Sequence, residues 1–183
     1  RQRQMCIRDS LAGFPGVHVD CMDILRHSAH DLADEHISSA VVDSIRTGYY
    51  HAVLMSPPCG TFSQARDMSG GPPRLRGEFA PDIYGLPALT YQQSEQVKLG
   101  ALLGTRAADM ALFADELGLP WLGETPMLRT GSSSVFKLPR WLKVRALPTT
   151  AHRELRQCSY FDAPERPSNL TFEKGTSLVC NFE

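Results

Sequence analysis

Residues 52–63 read Ala-Val-Leu-Met-Ser-Pro-Pro-Cys-Gly-Thr-Phe-Ser. The first four form a continuous apolar run, the pattern of a strand covered on both faces. Two prolines and a glycine then end regular pairing. Further along, residues 92–117 predict a long helix. Val97, Ala101, Ala108 and Leu112 lie on one stripe, with Leu102, Met110, Phe113 and Leu117 close to it. Gly118 is placed as its cap, and Gly100 and Gly104 weaken it by about 1 kcal/mol each relative to Ala. Residues 120–123 (Pro-Trp-Leu-Gly) predict a second short strand that stops at Glu124-Thr125-Pro126. Strand, helix and strand make a β-α-β unit whose two strands run the same way, side by side. Open α/β sheets place ligands beyond the carboxyl ends of their strands. Cys59 and Glu124 are therefore expected on one rim.

Outward from this unit the signals thin. Val17 and Val19 alternate with His18 and Asp20, so 16–20 predicts a strand. Ile37, Val41 and Ile45 recur at helical spacing, which predicts a helix over 37–47 capped by Gly48. Residues 64–91 are rich in Gly and Pro and read as a long functional loop carrying Arg66, Arg74 and Arg76. A helix near 138–144 and strands near 170–172 and 178–182 follow. Strands alternating with helices predict an α/β domain with a mainly parallel sheet.

Composition narrows the class. The chain has 183 residues, 42% of them hydrophobic and 21% charged, with a net charge of −1. That matches one globular domain and excludes a disordered chain or a uniformly basic nucleic-acid coat. No apolar run has the length of a membrane span. The five cysteines are widely spaced and include no CxxC. A reducing, intracellular setting and no metal site are expected. His27 and His30 lack partners at ligand spacing. Residues 1–10 are polar, lack a signal peptide's apolar stretch, and fit no element that follows. They are expected to be extraneous, leaving 11–183 as the domain.

A cysteine by itself is most often a small buried hydrophobe. On a polar rim near arginines it can instead be a nucleophile, and its flanking residues favour that reading. Ser56 to Arg66 (SPPCGTFSQAR) resembles the catalytic-loop motif of DNA cytosine-5 methyltransferases, Pro-Pro-Cys followed shortly by Phe-Ser. Glu124-Thr125-Pro126 resembles that family's Glu-Asn motif after the next strand. The likeness is nearest to short phage- and transposon-associated or environmental homologues. Pro72-Pro73-Arg74-Leu75-Arg76, Gly85-Leu86-Pro87 and Gln157-Cys158-Ser159-Tyr160 match further pieces of their pattern.

The resemblance implies a Rossmann-like fold and a reaction that uses S-adenosylmethionine (SAM) on DNA. Cys59 would add to C6 of a cytosine taken out of the stack. Glu124 would hydrogen-bond N3 and the amino group. Pro58, Ser63, Arg66, Arg74 and Arg76 would hold the substrate strand, and Pro57, Asp20 or Asp23, and Asp31 would meet the cofactor. The sequence also departs from the family. Gly60 follows the cysteine where Gln, Asn or Thr is usual, and Thr125 replaces Asn. The family's first strand and Phe-x-Gly-x-Gly turn have only Gly13-Phe14-Pro15-Gly16 in their place. The chain is thus expected to lack the first βα unit and to be an N-terminally truncated or minimal homologue. Two other readings stay open. One is an amino-methyltransferase built on Ser56-Pro57-Pro58, although Cys59 stands where an aromatic ring would stack on the base. The other is a non-catalytic remnant that binds DNA or a partner.

Overall fold

The computed structural model describes residues 14–156 and 175–182. Helix α1 spans Glu35–Arg46. Asp34 caps it, its carboxylate accepting from His36 N at 2.8 Å and Ile37 N at 3.3 Å. Gly48 follows its end at φ +74°, the left-handed conformation expected of a glycine there. Strand β1 is Val53–Met55. Helix α2, Tyr91–Glu116, opens with a capping box: Thr90 Oγ1 accepts from Gln93 N, and Gln93 Oε1 accepts from Thr90 N. Strand β2 is Trp121–Pro126, helix α3 Pro139–Arg145, strand β3 Ala151–Arg156 and strand β4 Gly175–Cys180.

The class is α/β, and the β1-α2-β2 unit forms with parallel strands, Val53 opposite Trp121 and Met55 opposite Gly123. The sheet as a whole is mixed rather than mainly parallel. Its order is β1-β2-β4-β3, and β4 pairs antiparallel with both β2 and β3. So β1, β2 and β3 point one way, and one reversed strand inserted between two of them makes most of the ladders antiparallel. This insertion also lengthens β2. Glu124, Thr125 and Pro126 pair with Leu178, Ser177 and Thr176, which places Glu124 inside the strand instead of after it. Strand β3 has no counterpart in the sequence reading, because Ala-His-Arg-Glu-Leu-Arg shows no apolar alternation. Residues 16–20 form no strand; a Phe14–Val17 turn and unpaired backbone stand there. The expected strand near 170–172, residues 1–10 and Gln157 to Tyr160 lie outside the described residues.

The core lies on one face of the sheet. Trp121, Met55 and Val179 pack there with Ile45, Phe136, Trp141 and the alanines of α2. On the opposite face Leu54 is 47% exposed, so the apolar run at 52–55 is not covered on both sides by the described residues. The inner face of α2 is made of small residues: Gly100, Ala101, Gly104, Ala107, Ala108, Ala111 and Ala114 are buried, whereas Leu99, Leu102 and Leu117 are exposed. The two glycines have a steric reason. A Cβ on Gly104 would lie 2.6 Å from Val135 Cγ2 and 2.8 Å from Leu138 Cδ1. Trp141 Nε1 donates to Gly104 O at 2.8 Å, which holds α3 in that contact.

Gly104→Ala therefore separates propensity from packing. Alanine gains about 1 kcal/mol of helix preference, but overfilling a closed contact costs about 1–3 kcal/mol. Thermal denaturation is expected to show a lower Tm for the variant; a raised Tm would contradict the close contact.

Candidate functional site

The chain leaves β1 through Ser56, and Pro57 is buried. Neither Pro57 nor Pro58 has an N–H to extend the ladder, so the backbone is released into a tight turn. Phe62 N donates to Cys59 O at 2.9 Å to close it. Ser63 then caps a 3-10 turn over Gln64–Asp67, its Oγ accepting from Ala65 N at 3.3 Å. Cys59 is half-buried and is a free thiol. Glu124 is also half-buried, and by strand alternation it shares the less covered sheet face with Leu122. In register, Met55 opposes Gly123, so Glu124 is the next β2 residue past the last paired residue of β1. Neither the Cys59 thiol nor the Glu124 carboxylate has a hydrogen bond or ion pair with the described residues. Gln64 bridges the two sides: its Nε2 donates to the carbonyl of Met127, just past β2.

The long loop is tied down rather than free. Arg66 Nε donates to Gly60 O and its Nη1 to Pro73 O, each at 2.8 Å. Arg74 donates to Arg76 O at 2.9 Å and to Gly131 O at 2.5 Å, and pairs with Asp67 at 3.4 Å. Lys137, buried, donates to Glu78 at 2.6 Å and to the carbonyls of Arg129 and Ser132. Glu78 Oε2 in turn accepts from Gly131 N. A cleft of about 260 Å³ opens between the loop, at Pro58, Gly60, Thr61 and Arg66, and the first turns of α2, at Gln96 and Leu99. Cys59 and Glu124 do not line it.

Several expected site residues stand elsewhere. Arg76 has no exposure at all, so it cannot reach a phosphate; its guanidinium lies inside the domain, lowered to about 10 by burial. Arg74 remains exposed, but its charge is directed at the protein's own carbonyls and Asp67. Asp20 Oδ1 lies 3.2 Å from His18 Nε2, and its charge acts on Tyr50, on the segment that enters β1, not on the loop that leaves it. Burial first and then the Asp20 charge raise the pKa of Tyr50. Asp23 and Asp31 close local turns, accepting from Leu25 N and Ala33 N at 2.9 Å each. With no strand at 16–20, none of these acids follows a strand end there. Thr61 and Gln64 also stand in the motif, and their contacts, with Arg76 and Met127, are long-range and leave no local pattern. Among the described residues no group of acids, histidines and cysteines could hold a metal. No described helix is long and apolar enough to cross a membrane.

Comparison with protein-family models, curated proteins and solved structures finds no match to this chain.

The Glu78–Lys137 pair gives the loop a pH dependence. The hydrogen bond from Lys137, ahead of that from Gly131 N, lowers the Glu78 pKa. A depressed carboxylate contributes stability above its unfolded value, and that contribution is lost as pH falls through the folded one. Chemical-denaturation midpoints measured from neutrality to below about pH 4 are expected to fall less steeply for Glu78→Gln than for the parent. Parallel slopes would remove the pair from the acid response.

Proposed function

We propose that this chain carries the catalytic half of a DNA cytosine-5 methyltransferase, with SAM as methyl donor, Cys59 as nucleophile and Glu124 as the group that stabilises the activated ring. The observation that supports the reading is the β1–β2 register: the turn bearing the free Cys59 thiol leaves the end of one strand, and the half-buried Glu124 is the next residue past that end on its parallel neighbour. The motif around Cys59 supplies the substrate class.

The side chains divide the work as follows. Cys59, as thiolate, forms a bond to C6 of a cytosine rotated out of its helix. The C5–C6 π pair shifts toward N3, and Glu124, hydrogen-bonding N3 and the amino group, stabilises the charge that develops there. C5 is then nucleophilic. Once C5 has bonded to an electrophile, loss of its original proton supplies the electron pair that re-forms C5=C6 and expels the Cys59 thiolate. SAM, when bound, supplies the electrophilic methyl group. The described residues do not assemble a site for it: Asp20 faces His18, and Asp23 and Asp31 close their own turns. No methyl-transfer step is therefore derived.

The thiol and carboxylate can nonetheless be tested without SAM. Once Cys59 has added to C6, C5 can take a proton from water and lose its original hydrogen before the thiolate leaves. DNA tritiated at cytosine C5 is expected to release tritium to water in the presence of the chain. Cys59→Ala should abolish release, and Glu124→Gln should slow it by about a hundredfold, the usual effect of losing one transition-state donor. Release that survives Cys59→Ala would refute the nucleophile.

The scattered acids favour one second reading, a non-catalytic domain that binds DNA. Retained DNA binding with no tritium release would select it.

A further inference from the structure

Arg76 is among the largest side chains with no exposure. Its Nε and Nη2 donate to Thr61 Oγ1 at 3.0 and 2.9 Å, Nη1 donates to Ile83 O at 2.5 Å, and Nη2 also donates to Val97 O at 2.6 Å. The guanidinium carbon lies 3.8 Å from the centre of the Phe62 ring. Among the described residues no carboxylate pairs with it. A buried cation without an acid is costly, and an apolar side chain would fill the same space more cheaply. What a guanidinium adds is a rigid fork that fixes several acceptors at once. Two of them lie on other segments, a turn at Ile83 and helix α2 at Val97. The third is Thr61, two residues after Cys59, and the ring beneath the fork is Phe62, whose N–H closes the turn on Cys59 O.

We propose that Arg76 is a positioning residue for Cys59, clamping the thiol-bearing turn to α2 through Thr61 and Phe62, with Gly100 as the socket. The role rests on Cys59 as the reacting group. Gly100 completes the device: a Cβ there would lie 2.9 Å from Thr61 Oγ1 and 3.0 Å from Arg76 Nη2, so only glycine lets the turn and the fork share that spot on the helix. The threonine oxygen accepts twice, which uses both of its lone pairs and fixes its rotamer.

The test is native-state alkylation of the full chain by iodoacetamide. Peptide mass spectrometry follows Cys59, with the buried Cys180 as internal reference. Arg76→Lys and Thr61→Val are expected to raise alkylation of Cys59 relative to Cys180 by about tenfold through local opening. Thr61→Ser, which keeps the oxygen, should restore the parent ratio. If Arg76→Lys loses its cooperative melt, the Thr61→Val and Thr61→Ser pair decides. An unchanged ratio, or Cys59 and Cys180 rising together, would overturn the clamp and leave Arg76 as ordinary core. The readout is independent of catalysis: an altered ratio in a chain that releases no tritium keeps the clamp and removes the nucleophile instead.

Discussion

Gly100 and Gly104 lie one turn apart on α2, and the segments packed on them sit closer than any side chain would allow. At the first, the Cys59 turn meets the helix through Thr61 and Arg76. At the second, Val135, Leu138 and the Trp141 indole meet it. One helix stripe without bulk thereby sets two distances together: that of the Cys59 turn and that of the α3 layer against the sheet. Trp141 then reaches past α2 to β2, where a Cβ on Gly123 would lie 2.6 Å from its ring. The core is a stack of close approaches, and the aromatic groups fill what the glycines leave open.

The same economy governs the rim. Proline-rich chain with no period would ordinarily wander, but its polar groups are spent on backbone carbonyls across the site. Gln64 reaches Met127, Arg74 reaches Gly131, and Lys137 collects Glu78, Arg129 and Ser132. These contacts join the segment after β1 to the segment after β2. The turn that bears Cys59 is thereby fastened to the segment that follows the strand bearing Glu124.

Periodicity made the β1-α2-β2 unit readable, because a long amphipathic helix between two short apolar runs admits little else. Residues 37–47 and 138–144 were readable for the same reason. Beyond that, local pattern fails for identifiable causes. Strand β3 carries no alternation, since its partner β4 decides its pairing from a distance. The reversed course of β4 is a tertiary choice that no window of sequence contains. Arg76 read as a phosphate contact because arginine on a polar loop usually meets solvent; its acceptors are distant in sequence. Asp20, Asp23 and Asp31 read as ligands because acids after strands often are, and the missing strand at 16–20 removes the premise. The parallel β1–β2 order that sets Cys59 and Glu124 on neighbouring segments was readable from the apolar runs, whereas the long-range contacts of Thr61, Gln64 and Gly100 were not.

Strand β1 is three residues long and lies at an edge of the described sheet. An edge strand offers a row of unpaired N–H and C=O groups to any extended chain that comes alongside. Here that row is cut off at its carboxyl end. Pro57 and Pro58 have no N–H to offer, so a ladder built on β1 cannot run on past Ser56 into the Cys59 turn. Whatever pairs with this edge must therefore end its ladder before the Cys59 turn.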